Sequence, residues 1–162
     1  MAIKIFTTGG TIDKTYFDTK NTYHVGEAQA GGVLERANVV CEYGVEPLLR
    51  KDSLDLSDTD RKHIRAVVAS DPAEQIIITH GTDTMIETAA VLANIPGKTI
   101  VLTGSMYPAH FRDSDAVFNL GCAVTAVQLL DPGVYIAMNG RIFDPKSAKK
   151  NVELNRFEDT GI

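Results

Sequence analysis

A chain of 162 residues with 44% apolar and 23% charged side chains has the composition of an ordinary globular protein, long enough for one packed domain and too short to expect two. Its 16 Lys and Arg against 21 Asp and Glu leave a net charge of -5. With no basic cluster longer than "KSAKK", this argues against nucleic acid or an anionic membrane as partner and for a small molecule.

The first apolar run, "IKIFTT", predicts a strand, and it leads directly into the turn "TTGGTI" at residues 7–12. Adjacent Gly9 and Gly10 fit neither G-x-G-x-x-G nor a P-loop. They let the chain bend tightly and present the hydroxyls of Thr8 and Thr11 instead. A polar segment over residues 13–26, carrying Tyr23, has the character of a lid. "GGVLERA" predicts a short helix and "ANVVCEY" a second strand. After "LDLSDTD", the segment "RKHIRAVVAS" predicts a helix that places Ile64, Val67 and Val68 on one side, with Ser57 and Asp60 spaced as a capping box. The strand "QIIITH" leads into "THGTDT" and the helix "TMIETAAVLAN", where Thr84 and Glu87 have capping-box spacing. "TIVLTG" is a strand, "SDAVFNLGCAVTAVQLL" a helix closed by "DPG", and "VYIAMNG" the last strand of this series.

Several of these strands are continuous in Ile, Val and Leu rather than alternating, the pattern of parallel strands buried on both faces. Strands alternating with helices predict an α/β fold: a single domain with a doubly wound, mostly parallel sheet and helices on both faces. Ligands in such folds bind outside the carboxyl ends of the strands. Four polar turns gather there: "TTGGT", "DSLD", "THGTDT" and "TGSMYP". At that end Thr82 and Asp83 place a hydroxyl and a carboxylate beside a helix start. A threonine hydroxyl needs a base or a strong hydrogen bond to act as a nucleophile. The candidate activators are Asp83, Lys150 and Tyr23, and backbone N–H groups of the turns are available to an oxyanion.

Other signals lead nowhere. Gly97, Lys98 and Thr99 spell part of a Walker A motif, but position 92 is Leu where the first glycine would stand. Cys41 and Cys122 have no C-x-x-C spacing, and the four histidines, His24, His63, His80 and His110, no paired spacing, so neither a disulfide framework nor a metal site is expected. The two thiols are expected in the core, and His80 is expected to pack or hydrogen-bond. No apolar run approaches the roughly 20 residues of a membrane span and no leader pattern opens the chain, so a cytoplasmic location is expected.

"TTGGTI" together with "THGTDTMIETA", and further "VLTGSMYP", resembles the signature segments of the bacterial-type L-asparaginase and asparaginase/glutaminase family. The resemblance implies hydrolysis of L-asparagine to aspartate and ammonia through a threonine acyl-enzyme, without a cofactor, in a homo-oligomer. It implies Thr11 as nucleophile and Tyr23 as its hydrogen-bond partner. Thr82, Asp83 and Lys150 would form a set that positions or activates water. Ser53 would bind the substrate α-carboxylate and Asp83 its α-amine, with Gly10 and Gly81 contributing turn backbone to the substrate site. Members commonly run to roughly twice this length, in the range where chains divide into two domains. Their smaller C-terminal domain is therefore expected to be absent here. Leu54 follows Ser53 where secreted members carry a polar residue, and losing one hydrogen bond to a charged group costs about 1.5–3 kcal/mol of binding. Two alternatives stay open: an amino-acid-binding or regulatory module with little turnover, and an ammonia-generating subunit of an amidotransferase.

Overall fold

The computed structural model describes residues 2–16 and 23–161. Strands β1 (Ile3–Gly9), β4 (Tyr43–Lys51), β5 (Gln75–Thr79), β6 (Thr99–Thr103) and β7 (Gly133–Met138) pair in parallel, and β8 (Arg141–Phe143) closes the sheet antiparallel to β7, in the order β4-β1-β5-β6-β7-β8. Two short antiparallel hairpins stand apart: β2 (Lys14–Tyr16) with β3 (Tyr23–Val25), and β9 (Ala148–Asn151) with β10 (Arg156–Asp159).

Side chains on a strand alternate between faces, and β5 shows what this does to an Ile run. Ile77 enters one core with Ile3, Ile5, Val101 and Ala137, covered by α1 (Ala30–Arg36) and α4 (Ala116–Leu129). Its neighbours Ile76 and Ile78 enter the other with Phe6, Ile100, Leu102 and Met138, under α2 (Asp58–Ser70) and α3 (Met85–Val91). All three isoleucines are completely buried, each burial stabilising by about 1.5–3 kcal/mol. The doubly wound reading of the sequence therefore describes the molecule.

One strand lies elsewhere than expected. Residues 37–42, within "ANVVCEY", form no strand: Asn38 takes a φ of 54° and Val40 is fully exposed. The strand begins at Tyr43 and runs through Pro47, which has no N–H to donate. Pro47 and the flanking charges suit this position because β4 pairs on one side only. Cys41 and Cys122 are free thiols and half-buried at the edge of the first core.

The expected cap at Ser57 is present: its Oγ accepts the Asp60 N–H at 3.1 Å, and Asp60 Oδ2 accepts the Ser57 N–H at 2.9 Å. The one expected at Thr84 and Glu87 is not. Thr84 makes no side-chain cap to α3 and instead donates its hydroxyl to the Ser53 carbonyl at 2.8 Å. Among the described residues no helix is long and apolar enough to cross a membrane.

Candidate active site

Along the five parallel strands the chain runs outward from β1 to β4, then returns past β1 to β5. The strand order therefore reverses at the β1/β5 boundary, where doubly wound folds open a crevice at the strands' carboxyl ends. Thr11 stands in the short 3-10 turn after β1, and Thr82 follows β5. A buried hydrogen bond from Thr8 Oγ1 to the Thr79 carbonyl, 2.9 Å, ties the ends of those two strands together.

Glycines bring the turns into contact. Gly10 has φ 81° and ψ -174°, a region open essentially to glycine alone. A Cβ on Gly10 would lie 2.4 Å from the Gly81 Cα, and one on Gly81 would lie 2.6 Å from Ser53 Oγ. The three turns are thus stacked, Gly10 on Gly81 and Gly81 on Ser53. Ser53, only 1% exposed, sits at the bottom of this stack, and its Oγ lies 3.4 Å from the Thr84 N–H. Beside it Asp52 pairs with Lys14 at 2.7 Å. Burial works against the Asp52 carboxylate, but the bonds from Lys14 and from the Leu54 N–H, with the Lys150 charge nearby, hold its pKa below the usual range.

The far side of the crevice is built by the β9–β10 hairpin. Ala148 and Phe157 bury into the second core, and Phe157 lies 6.2 Å, ring to ring, from Phe143. Lys150 is two residues from Ala148 and so leaves the strand on the same face. Its Nζ donates to Thr82 Oγ1 at 2.8 Å and to Asp83 Oδ1 at 2.7 Å. A relay of amides sets the hairpin's position. Asn119 on α4 accepts the Asn139 N–H through Oδ1 at 3.1 Å, and Asn139 Oδ1 accepts the Phe157 N–H at 2.8 Å. Asn139 and Gly140, with φ of 53° and 73°, form the two-residue turn between β7 and β8, for which Asn-Gly is the favoured pair.

His80 fixes the backbone between β5 and Thr82. It is fully buried, with Nδ1 2.7 Å from the Gly81 carbonyl and Nε2 2.7 Å from Thr88 Oγ1. A carbonyl only accepts, so Nδ1 carries the proton and Nε2 accepts the Thr88 hydroxyl. Burial pushes its pKa down from 6.5 to about 4, and the imidazole is neutral. Because the folded value lies below the unfolded one, this contribution to stability is complete above about pH 6.5 and is lost as pH falls toward 4. His80→Gln is expected to cost more at pH 7 than at pH 4.5, the gap from wild type narrowing by about 2–3 kcal/mol. Urea unfolding at the two pH values measures it.

The expected site residues therefore fall into groups. Thr82, Asp83 and Lys150 are hydrogen-bonded, and Gly10, Gly81 and Ser53 are stacked beside them. Thr11 is next to Gly10 in the same wall. Tyr23 opens β3, is 44% exposed, and lies 6.0 Å edge-on from Phe111. Residues 17–22 of the expected lid lie outside the described residues. Two participants escape a reading of the sequence. Phe111 and Asp13 lie in no local pattern that marks them, although Asp13 is only 2% exposed.

The family model for the N-terminal part of asparaginases matches residues 2–158. The chain belongs to the asparaginase family. It is 34% identical to the L-asparaginase of Thermococcus kodakarensis, over 98% of this chain and 51% of the relative. To a glutaminase-asparaginase of Pseudomonas aeruginosa it is 32% identical, over 94% and 46%. Among solved structures, the thermostable L-asparaginase from T. kodakarensis superimposes with a TM-score of 0.82 at 28% identity, and a probable cytoplasmic L-asparaginase from Campylobacter jejuni with 0.79 at 26%. Each match covers 98% of this chain and 51% of the other. The chain spans about half the length of the asparaginases it matches.

Proposed function

We propose that the protein is an L-asparaginase-type amidohydrolase, converting asparagine to aspartate and ammonia through a threonine acyl-enzyme without a cofactor, with glutamine as a slower substrate. The observation that carries the reading is the Lys150 ammonium joined at once to the Thr82 hydroxyl and the Asp83 carboxylate, at the crevice where the strand order reverses.

In this reading Thr11 Oγ attacks the side-chain amide carbon, its proton passing through Tyr23 toward the departing nitrogen. Backbone N–H groups of the stacked turns hold the oxyanion. The C–N bond breaks, ammonia leaves, and an ester on Thr11 remains. Water held by Thr82 then attacks the ester, and Lys150 and Asp83 keep the Thr82 hydroxyl oriented, as the third member of a serine-protease triad orients its histidine. Ser53 receives the α-carboxylate. Asp83 Oδ1 is taken by Lys150, and Oδ2 serves the α-amine. Gly10 and Gly81 contribute by letting the turns approach closely.

The apolar, uncharged outer face of α4, where Phe118 is 60% and Leu129 78% exposed, supports assembly into a homo-oligomer. A cytoplasmic location follows from the same reading, with a single α/β domain over residues 1–162. The exposure of Tyr23 favours a second reading, a module that binds the amino acid with little turnover. A coupled ammonia assay on the purified chain separates the two. Release from asparagine exceeding release from glutamine supports the hydrolase, and calorimetric binding of aspartate with no ammonia above the blank supports the module.

A further inference from the structure

Asp13 has no part in the proposed chemistry, yet among the described residues it is the most deeply buried carboxylate near the crevice. Three bonds meet at this residue. Its N–H donates to the Gly10 carbonyl at 3.2 Å, its carbonyl accepts the Gly26 N–H at 2.8 Å, and its Oδ1 accepts the Gln29 N–H at 2.9 Å. Gly10 belongs to the turn of Thr11. Gly26 follows β3 directly, and Lys14, next to Asp13, pairs with Val25 as the first rung of the β2–β3 hairpin. One residue therefore joins the Thr11 turn, the root of the Tyr23 hairpin and the chain entering α1.

We propose that Asp13 is a positioning residue, whose buried carboxyl fastens the Thr11 turn, and with it the backbone bond to the root of the Tyr23 hairpin, to the chain entering α1. The roles of Thr11 and Tyr23 here rest on the hydrolase reading above. The backbone bonds could be made by any residue, but the Gln29 bond needs a side-chain acceptor at this position. The surrounding charges do little to neutralise it. Arg50 on β4 is directed to Glu27 at 2.8 Å, with both side chains more than half exposed, and Lys14 is held by Asp52. Among the described residues, His24, across the hairpin from Thr15, and Tyr23, across from Tyr16, are further titratable groups of the hairpin.

Burial pushes the Asp13 carboxyl up from 3.8 to about 7, against the smaller opposing effects of the Gln29 N–H and Arg50. The lock is therefore tightest with the proton on. Its stability is complete below about pH 4 and declines as pH rises to about 7, because an opened root would ionise at the ordinary value. Asn keeps the acceptor and cannot ionise, so the two properties separate.

The test is amide hydrogen exchange of Gly26 and Gln29 between pH 5 and 8, corrected for intrinsic exchange, with Ile77 as a core reference. Protection of the two amides is expected to fall more than tenfold in the wild type and less than twofold in Asp13→Asn, with Ile77 changing less than either in both proteins. In parallel, kcat/KM for asparagine is expected to fall at least tenfold in Asp13→Ala and to be mostly restored in Asp13→Asn. Equal pH slopes in wild type and D13N would overturn the lock, as would a folded D13A with unchanged kcat/KM. Should D13A fail to fold, the exchange slopes decide. A wild type that releases no ammonia refutes the hydrolase reading instead, and exchange then decides the lock alone.

Discussion

Lys150→Met is expected to lower the rate of ammonia release from asparagine by about a thousandfold, the size of effect seen when one preorganised donor is removed from a hydrolytic site. Methionine fills similar volume but donates no hydrogen bond, so Thr82 and Asp83 both lose the group that holds them. The hairpin should stay in place, because Ala148 and Phe157 anchor it in the core and Asn139 binds its backbone. The Lys150 and Asp83 side chains are 17% and 42% exposed, and pairs of that kind contribute only about 1 kcal/mol to folding. A melting temperature within a few degrees of wild type should therefore accompany the lost rate. Thermal unfolding and steady-state kinetics on the same preparation check both halves of the statement. A variant with more than a tenth of wild-type kcat would show that Lys150 is a structural ion-pair partner only.

Gly10→Ala is expected to damage both folding and activity. The new methyl would meet the Gly81 backbone at 2.4 Å, in a main-chain conformation with φ 81°. Neither problem is relieved by a rotamer change, since the obstacle is backbone on both sides. Strain of this kind costs about 1–3 kcal/mol and overpacking a similar amount, so a loss of about 3 kcal/mol or more is expected in urea unfolding. Relief by movement would separate the Thr11 and Thr82 turns, and kcat/KM should fall even under conditions where the variant is folded. Wild-type activity in a stable G10A protein would mean that close stacking of the turns is not needed.

How much of this could be read from residues alone follows from how local each signal is. The buried strands "QIIIT" and "TIVLT" and the Ser57 cap are written in contiguous residues, and they fold as written. The strand after α1 starts later than its apolar residues suggest, because an edge strand needs no continuous apolar run and the exposed Val40 imitates one. Thr84 and Glu87 had the spacing of a cap, but the Ser53 carbonyl, 31 residues away in sequence, competed for the hydroxyl and won. Lys150 stands out in the sequence as a candidate activator, and the resemblance adds its pairing with Thr82 and Asp83, while the β9–β10 hairpin that aims it depends on Asn119 and Asn139, two distant amides with no local pattern. Asp13 is hidden for the opposite reason. Its residue type predicts exposure, and what buries it is the distant chain around Gly26 and Gln29 folding back onto the turn.

In the proposed mechanism two hydroxyls at one crevice, those of Thr11 and Thr82, carry out amide hydrolysis. Ammonia release from L-asparagine by Thr11→Ala and Thr82→Ala, each compared with wild type at equal folded concentration, tests it most directly. Release at least a thousandfold slower is expected in both variants, with melting temperatures near that of wild type. Release from either variant within tenfold of the wild-type rate would contradict it.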